Sequence, residues 1–325
     1  MMRNKWIVLA AVAVAALSCD TVSAQTFPTR PIRVLVGFSP GGPADVMARL
    51  IGQRMTQSLG RPIVVENRPG AGGTIAARAV AESEPDGYTL LLGNTSTLII
   101  SPLMYKNVGY DALKAFAPIA RLGTTSDILV TNPSFPAKTL AQLIAYAKAN
   151  PGKLNYSTPG IGTPPHLIGE MLKLKAGVET VHVPYKSGGQ SMQAVIAGEV
   201  QFTFENPAIA LPLVQAGVVR ALAVTSAARH PQAPDVPTLG EAGLPDFVSV
   251  SFTGVVGPAG IPGDIVAKLN STINDSLTAP EVAATLAKLA VDAGGGTPGE
   301  FAAFLTEEMT TMTPVVKAAG LLGVE

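Results

Sequence analysis

Residues that do covalent or metal chemistry are few in this sequence and poorly spaced for it. His166, His182 and His230 are its only histidines. They lie far apart, and none is read with an acidic or cysteine partner at metal-ligand spacing, so no metal site is expected. No G-x-S-x-G nucleophile elbow occurs. Gly160-Ile161-Gly162 opens like a dinucleotide fingerprint, but Pro165 stands where the third glycine belongs, which weakens a pyrophosphate reading. His182, flanked by Val181 and Val183, reads as a packed strand residue. The expectation is no catalytic residue, no metal and no cofactor.

Loops rich in small polar residues are plentiful instead. Phe38-Ser39-Pro40-Gly41-Gly42-Pro43 follows an apolar run at 32–36 and precedes a helical pattern carried by Val46, Leu50, Ile51, Met55 and Leu59. Glycines there let the backbone approach a guest, and free amides at the helix start favour an anion. Three more such loops, 94–97, 158–165 and 184–189, follow apolar runs, at the sheet edge where α/β proteins take ligands. Together they offer neutral donors and one cation, Lys186, which reads as solvated. Such a set can hold a carboxylate through amides, hydroxyls and water without an arginine. Asp45 fits either a helix cap or a ligand contact. Glu205 fits either an acceptor for a ligand amine or a brace, and Phe38 and Tyr185 suit apolar walls.

Strand and helix patterns alternate through 32–93, with strands at 63–66 and 88–93 and a helix at 74–82, the signature of a parallel sheet covered by helices. The theme recurs at 128–131, 140–149, 154–157, 166–174, 181–183 and 200–204, without a repeat of fixed period. Pro231, Pro234, Pro237, Gly240, Gly243 and Pro245 mark a surface excursion over 229–246. A strand at 247–257 and helices at 265–277 and 301–316, the last interrupted near Pro314, complete the chain. That last part has no sheet of its own and is expected to rejoin the first domain. The expected division is 25–123 with 251–325 as domain 1 and 124–250 as domain 2, with crossings near 120–127 and 247–254.

The first residues read as a leader. Arg3 and Lys5 precede an apolar stretch from Trp6 to Leu17, and Val22-Ser23-Ala24 is a small-residue cleavage site. A signal peptide over 1–24, cleavage near Ala24 and export to the periplasm follow. Ala16-Leu17-Ser18-Cys19 is a degraded lipoprotein box with its leucine one place late, and acylation at Cys19 ranks behind plain secretion. Cys19 is the single cysteine, so no disulfide is expected. The whole chain carries 23 basic and 23 acidic residues, and without the leader 21 and 22. That balance gives no lever for nucleic acid or an anionic membrane.

The segments FSPGGPAD (38–45), ENRPGAGG (66–73), PDGYTLL (85–91), YSTPGIGTPPHL (156–167), HVPYKSGG (182–189), RALAVTS (220–226), PDVPTLGEAGLP (234–245) and GPAGIP (257–262) resemble the Bug solute-binding receptors of tripartite tricarboxylate transporters over nearly the whole mature chain. The resemblance implies an α/β, two-domain periplasmic binding protein of type II, each domain a mainly parallel sheet flanked by helices, joined by two crossing strands. It implies closure on a small carboxylate for uptake by transporter membrane subunits or for sensing by a partner protein, as a monomer. The residues assigned to the ligand are Phe38, Ser39, Gly41, Gly42, Asp45 and Thr97 on one side, and Thr158, Gly162, Thr163, His166, Tyr185, Ser187, Gly188 and Glu205 on the other. The family often has aspartate at Glu205 and tryptophan at Phe252 and Met312. The alternative is a secreted enzyme acting on a small carboxylate on the same scaffold.

Overall fold

The computed structural model describes residues 27–324, so the expected signal peptide, its cleavage site and Cys19 lie outside the described residues. The first apolar run forms β1 (Ile32–Val36), in which Ile32, Val34, Leu35 and Val36 are buried. A strand covered on both faces needs no apolar-polar alternation. Pro43 at the first helical position starts α1 (Pro43–Leu59), and Gly60 ends it in left-handed conformation. β2 (Ile63–Asn67), α2 (Thr74–Ala81) and β3 (Thr89–Asn94) continue the alternation. No loop spans 94–97: the strand runs through Asn94 and a π-helical turn, Ser96–Ile100, leads directly into α3 (Ser101–Met104).

β4 (Phe116–Ser126) leaves this sheet and, after Asp127 alone, the chain continues as β5 (Ile128–Thr131). There follow α4 (Leu140–Ala149), β6 (Leu154–Thr158), α5 (Pro164–Ala176), β7 (Thr180–Pro184), α6 (Gly188–Ala197), β8 (Phe202–Glu205), α7 (Pro207–Gln215) and β9 (Arg220–Val224). β10 (Val250–Pro258) returns to the first sheet, and α8 (Gly263–Leu277), α9 (Pro280–Lys288), β11 (Asp292–Ala293) and α10 (Pro298–Ala318) complete it. The six-stranded sheet has the order β11-β4-β10-β3-β1-β2, and the five-stranded sheet β7-β6-β8-β5-β9.

The α/β class and the two crossing strands are as expected, but neither sheet is mainly parallel. β1 is parallel to β2 and β3, and β6 to β7 and β8. β10 is antiparallel to β3 and β4, and β5 to β8 and β9. A strand that passes between sheets through the edge where the parallel strands end is paired against them in at least one sheet. The helix expected to break near Pro314 runs through it. Thr310 and Thr313 return their hydroxyls to the carbonyls of Thr306 and Met309, and burial of Met312, Val315 and Val316 holds the last turns in place.

Of three apolar clusters among the described residues, one packs Ile128, Val130, Val195 and Val224 of the second sheet's side, and the other two are the larger. One lies between the first sheet and helices α1, α8 and α9, with Ile32, Val34, Met47, Ile51, Leu269 and Ile273 at its centre. The other runs from Leu35 and Leu91 through Phe301, Leu305 and Met312 of α10 to Met171 of α5 and Tyr156 and Phe202 of the second sheet. Tyr156 is fully buried, stacks on Phe202 with centroids 5.4 Å apart, and donates its hydroxyl to Glu170 Oε1 at 2.7 Å. A Cβ on Gly169 would overlap that ring, and the ring has nowhere to move. Gly169→Ala is therefore expected to destabilise the protein by about 1–3 kcal/mol, read as a lower denaturation midpoint in urea.

Candidate functional site

The strand directions bring two sheet edges together. β1, β2 and β3 end at Val36, Asn67 and Asn94, and Thr253 at the entry of β10 lies opposite Asn94. In the second sheet β6, β7 and β8 end at Thr158, Pro184 and Glu205, and Ile128 lies opposite both Glu205 and Val224. With one residue between β4 and β5, the carboxyl ends of the parallel strands in the two sheets face each other across the crossings. The crossings are bonded to one another: Asp127 N donates to Thr225 Oγ1 at 2.8 Å, Thr225 N to Asp127 O at 2.9 Å, and Ser249 N to Thr225 O at 2.9 Å.

Between the edges lies a cleft of about 840 Å³. The first side contributes Phe38 to Ala44, Met47 and Asn94, the crossings Thr125 and Thr253, the second side Asn206, Ala208 and Ile209, and the segment after α9 Leu289 and Val291. Two helix starts thus converge, each with proline at its first position: Gly42-Pro43 on α1 and Asn206-Pro207 on α7. At α1 the amides of Ala44 and Asp45 precede the first intrahelical bond, Val46 N to Gly42 O, and favour an anion, whereas at α7 Ala208 N is taken by Asn206 Oδ1 and Ile209 N and Ala210 N by Asn206 O.

Asp45, read from sequence as a cap or a ligand contact, is bonded within its own loop. Its carboxylate accepts from Gly41 N at 2.9 Å, from Arg49 Nε at 3.0 Å and from Asn67 Nδ2 at 2.9 Å. Arg49, with Gly41 and Asn67, holds this carboxyl down at about 2. It shapes the loop rather than lining the cleft, and it occupies the Gly41 amide. Asn67 also donates to Phe38 O at 3.0 Å, fixing the loop from the β2 side.

Glu205 stands at the end of β8. Its Oε1 accepts from Asn206 N at 3.0 Å, while Oε2 is buried without a hydrogen-bond partner. A Cβ on Gly188 would come within 2.8 Å of that Oε2, so the acid lies against the start of α6. Burial raises the Glu205 carboxyl. Burial, and then the neighbouring Glu205, push Asp127 up to about 7.

Of the residues assigned from sequence, Phe38, Ser39, Gly41 and Gly42 line this cleft. Thr97 is buried, its hydroxyl donating to Gly72 O and Asn94 Oδ1. Thr158 is buried on His182 Nε2 and the Gly160 backbone, and Thr163 bonds Gly160 O. His166 stacks on His182 with centroids 3.9 Å apart and accepts from Gly162 N through Nδ1 at 3.1 Å. Glu170, one turn along α5, stands 4.0 Å from its Nε2, an acidic neighbour that the spacing rule passed over. Burial lowers His166, and burial with His166 beside it lowers His182 to about 4, so both rings are neutral braces. Gly162, at φ +73°, lies against Met104 of the first sheet's side, where a Cβ would meet Sδ at 2.6 Å. Tyr185 and Ser187 face a separate open groove beside α6, and Ser187 caps that helix by accepting from Gln190 N at 3.3 Å.

Sequence reasoning missed Asn206, Ala208 and Ile209 as the second wall. The signal was present, since Asn206-Pro207 is a helix start directly after a strand. Thr125, Thr253, Leu289 and Val291 had no local signal. Among the described residues no cluster of His, Cys, Asp and Glu that could hold a metal ion occurs, and no helix is long and apolar enough to cross a membrane.

Two α/β sheets joined by a double crossing, with helix starts converging on a shared cleft, define the fold of the periplasmic solute-binding proteins. The chain belongs to the tripartite tricarboxylate transporter family receptors, whose family model matches residues 47–321. BugT of Bordetella pertussis is 36% identical over 300 residues, covering 92% of each chain. A Rhodopseudomonas palustris protein solved with adipate is 34% identical, with a TM-score of 0.76, and covers 92% of this chain and 100% of its own. MatC of Rhodopseudomonas palustris, solved with bound malate, is 34% identical with a TM-score of 0.72, over 89% of this chain and 100% of its own.

The raised Asp127 gives a pH dependence of defined sign. Its folded value of about 7 lies above the ordinary aspartate value of 3.8, so the folded state binds more protons between the two and stability falls as pH rises through that window. The contribution of Asp127 to unfolding free energy should be higher at pH 5 than at pH 8, by about 2.7 kcal/mol at most. Asp127→Asn should lower the stability at pH 5 relative to that at pH 8, compared with the unsubstituted protein in urea titrations, while Glu205 and Glu308, raised by burial, and His166 and His182, lowered by it, contribute with opposite signs in both proteins.

Proposed function

We propose that this protein is an exported receptor that takes a small carboxylate into the cleft between its sheets and delivers it to transporter membrane subunits or a sensor protein. The observation that carries the reading is that two helix starts, one from each side, meet in a cleft whose lining includes no ionisable side chain. Amides, hydroxyls and bridging water hold an acid there without a resident cation. The adipate and malate bound to similar proteins support the same ligand class. Periplasmic localisation rests on the family and on the leader read from sequence.

In this reading residues 25–123 with 251–325 form one domain and 124–250 the other, and a ligand touching both stabilises the shut population. Phe38, Ser39, Gly41 and Gly42 serve the first domain's side of the site, with Asn94, Thr125, Thr253 and Asn206 joining them. Thr158, Gly162, Thr163 and His166 shape the second domain's edge. No catalytic role is assigned. An enzyme acting on a carboxylate needs a nucleophile and base within reach of the ligand, and the cleft lining contains no base of that kind.

Gly42 has ordinary extended backbone angles (φ −76°, ψ 168°), and a Cβ added there would find Ser39 O as its nearest neighbour at 3.5 Å, so a larger residue is tolerated by the fold and projects into the site. Ligand at about 100 times its Kd stabilises the folded state by about 2.7 kcal/mol, a melting shift of several degrees. Purified protein should show that shift with at least one member of a carboxylate panel, without turnover by chromatography, and Gly42→Trp should abolish the shift while leaving the unliganded melting point within about 2 °C. Product formation would move the assignment to the enzyme reading.

A further inference from the structure

We propose that the pocket between α2 and the segment after α3 is a docking surface for an acidic, apolar-flanked segment of a protein partner, with Arg78 as its anchor. This rests on the receptor reading only in that a receptor delivering its load must meet another protein. The face concerned is separate from the cleft.

The pocket has a volume of about 500 Å³ and is walled by Ala71, Thr74 and Arg78 on one side and by residues 105–108 and Val324 on the other. Backbone bonds hold the second wall: Lys106 N donates to Val324 O at 3.2 Å and Val324 N to Met104 O at 2.6 Å. Arg78 reaches across, its Nη2 donating to Val108 O at 2.9 Å. Gly109, at φ +84°, lies so close that a Cβ there would come within 2.8 Å of Arg78 Cζ. The guanidinium is thus seated between α2 and a glycine, with a backbone carbonyl taking one of its five N–H donors.

Arg30, Arg33, Arg49, Arg54, Arg68 and Arg229 each stand within 3.2 Å of a carboxylate. Among the described residues Arg78 has no such partner, and the described lining holds no acid. Thr74, Tyr105 and Asn107 line the same pocket, and their side chains take part in no hydrogen bond among the described residues. Lys106, also in the lining, is engaged within the protein. A planar guanidinium with neutral donors beside it matches a carboxylate, which accepts two parallel N–H bonds.

What surrounds the pocket separates a protein segment from a free ion. Ile75, next to Thr74, is 52% exposed, and Tyr105 and Leu322 are exposed as well. From the second sheet's side comes Ile161, 61% exposed, beside Gly162, where a Cβ would lie 2.9 Å from Met104 Cε. A small anion would leave these apolar side chains in water. Apolar side chains around a polar anchor are the make-up of a protein interface, with arginine and tyrosine among its strongest contributors. An anionic bilayer calls for about four or more clustered basic residues, and this lining has two.

The test selects short peptides from a random display library on the purified mature protein and measures the enriched ones by calorimetry. Expected are peptides with aspartate or glutamate beside leucine or phenylalanine. Arg78→Glu and Asn107→Glu should each weaken them about tenfold, and Ile75→Ser about threefold. Asn107 is exposed and its side chain is unbonded, so its substitution adds the opposing charge without removing a contact, should Arg78→Glu disturb the fold. No enriched peptide, an enriched set without acidic residues, or binding that survives both charge substitutions overturns the proposal. Self-association lost in Arg78→Glu, or sedimentation with phosphatidylglycerol vesicles, gives the face to a second copy or a membrane and overturns it too. Each of these failures leaves the carboxylate-induced melting shift, and with it the receptor reading, untouched.

Discussion

Thr225 carries the constraint on which the architecture depends. Where a chain passes from one sheet to another its peptide groups lose their ladder partners, and buried peptide groups left unpaired are destabilising. Thr225 is fully buried and serves both passages: its hydroxyl accepts from Asp127 N, its amide donates to Asp127 O, and its carbonyl accepts from Ser249 N. The outgoing crossing at Asp127 and the incoming one at Ser249 are thereby tied to one residue. Because β4 reaches β5 through Asp127 alone, the two sheet edges are held one peptide unit apart at that point. The cleft is what remains between them farther along.

The chemistry of the cleft follows from that geometry. Parallel strands ending at a shared edge put the helix starts that follow them at the same edge, so α1 and α7 converge without any side chain dictating it. Arg49, on α1, is engaged by Asp45 and Asn67 in shaping the loop, and so adds its charge to the scaffold rather than to the site. The acids at the crossing, Asp127 and Glu205, are raised by burial. A raised carboxyl carries less negative charge at neutral pH than an ordinary one, so the crossing adds little repulsion against an anionic guest. The wall therefore combines neutral donors with apolar side chains and no fixed charge.

Strand and helix order was legible because apolar runs and proline-started helices are local signals: β1, α1, β6 and α5 fall within a few residues of where the sequence places them. The loop at 38–43 was legible as cleft lining for the same reason. The second wall was not. Glycine density marked 158–165 as the counterpart of the first loop, yet that loop is held by His166, His182 and Thr163 and rests on Met104, while the less conspicuous Asn206-Pro207 start lines the cleft. Glycine content reports where backbone turns tightly, which a packed loop needs as much as a binding loop. Leu289 and Val291 reach the site only because two-residue β11 joins the far edge of the first sheet, a long-range pairing with no trace in local composition. Antiparallel pairing of the crossing strands was equally hidden, since a buried strand reads alike in either direction.

The two sides of the crossings differ in a way that bears on ligand capture. On one side α10 lies along α5, one apolar cluster runs unbroken from Leu35 to Phe202, and Gly162 touches Met104. Contact between the two sides there is made by the protein's own side chains. On the other side loop 38–43 faces Asn206 to Ile209 across open space. A ligand shifts an equilibrium only by the contacts that differ between its states, so new contact between the two walls counts where none exists beforehand. The packed side sets the axis, and Ile209, with the largest exposed apolar surface among the second wall's lining residues, gains most when the gap across from Phe38 and Pro40 is filled.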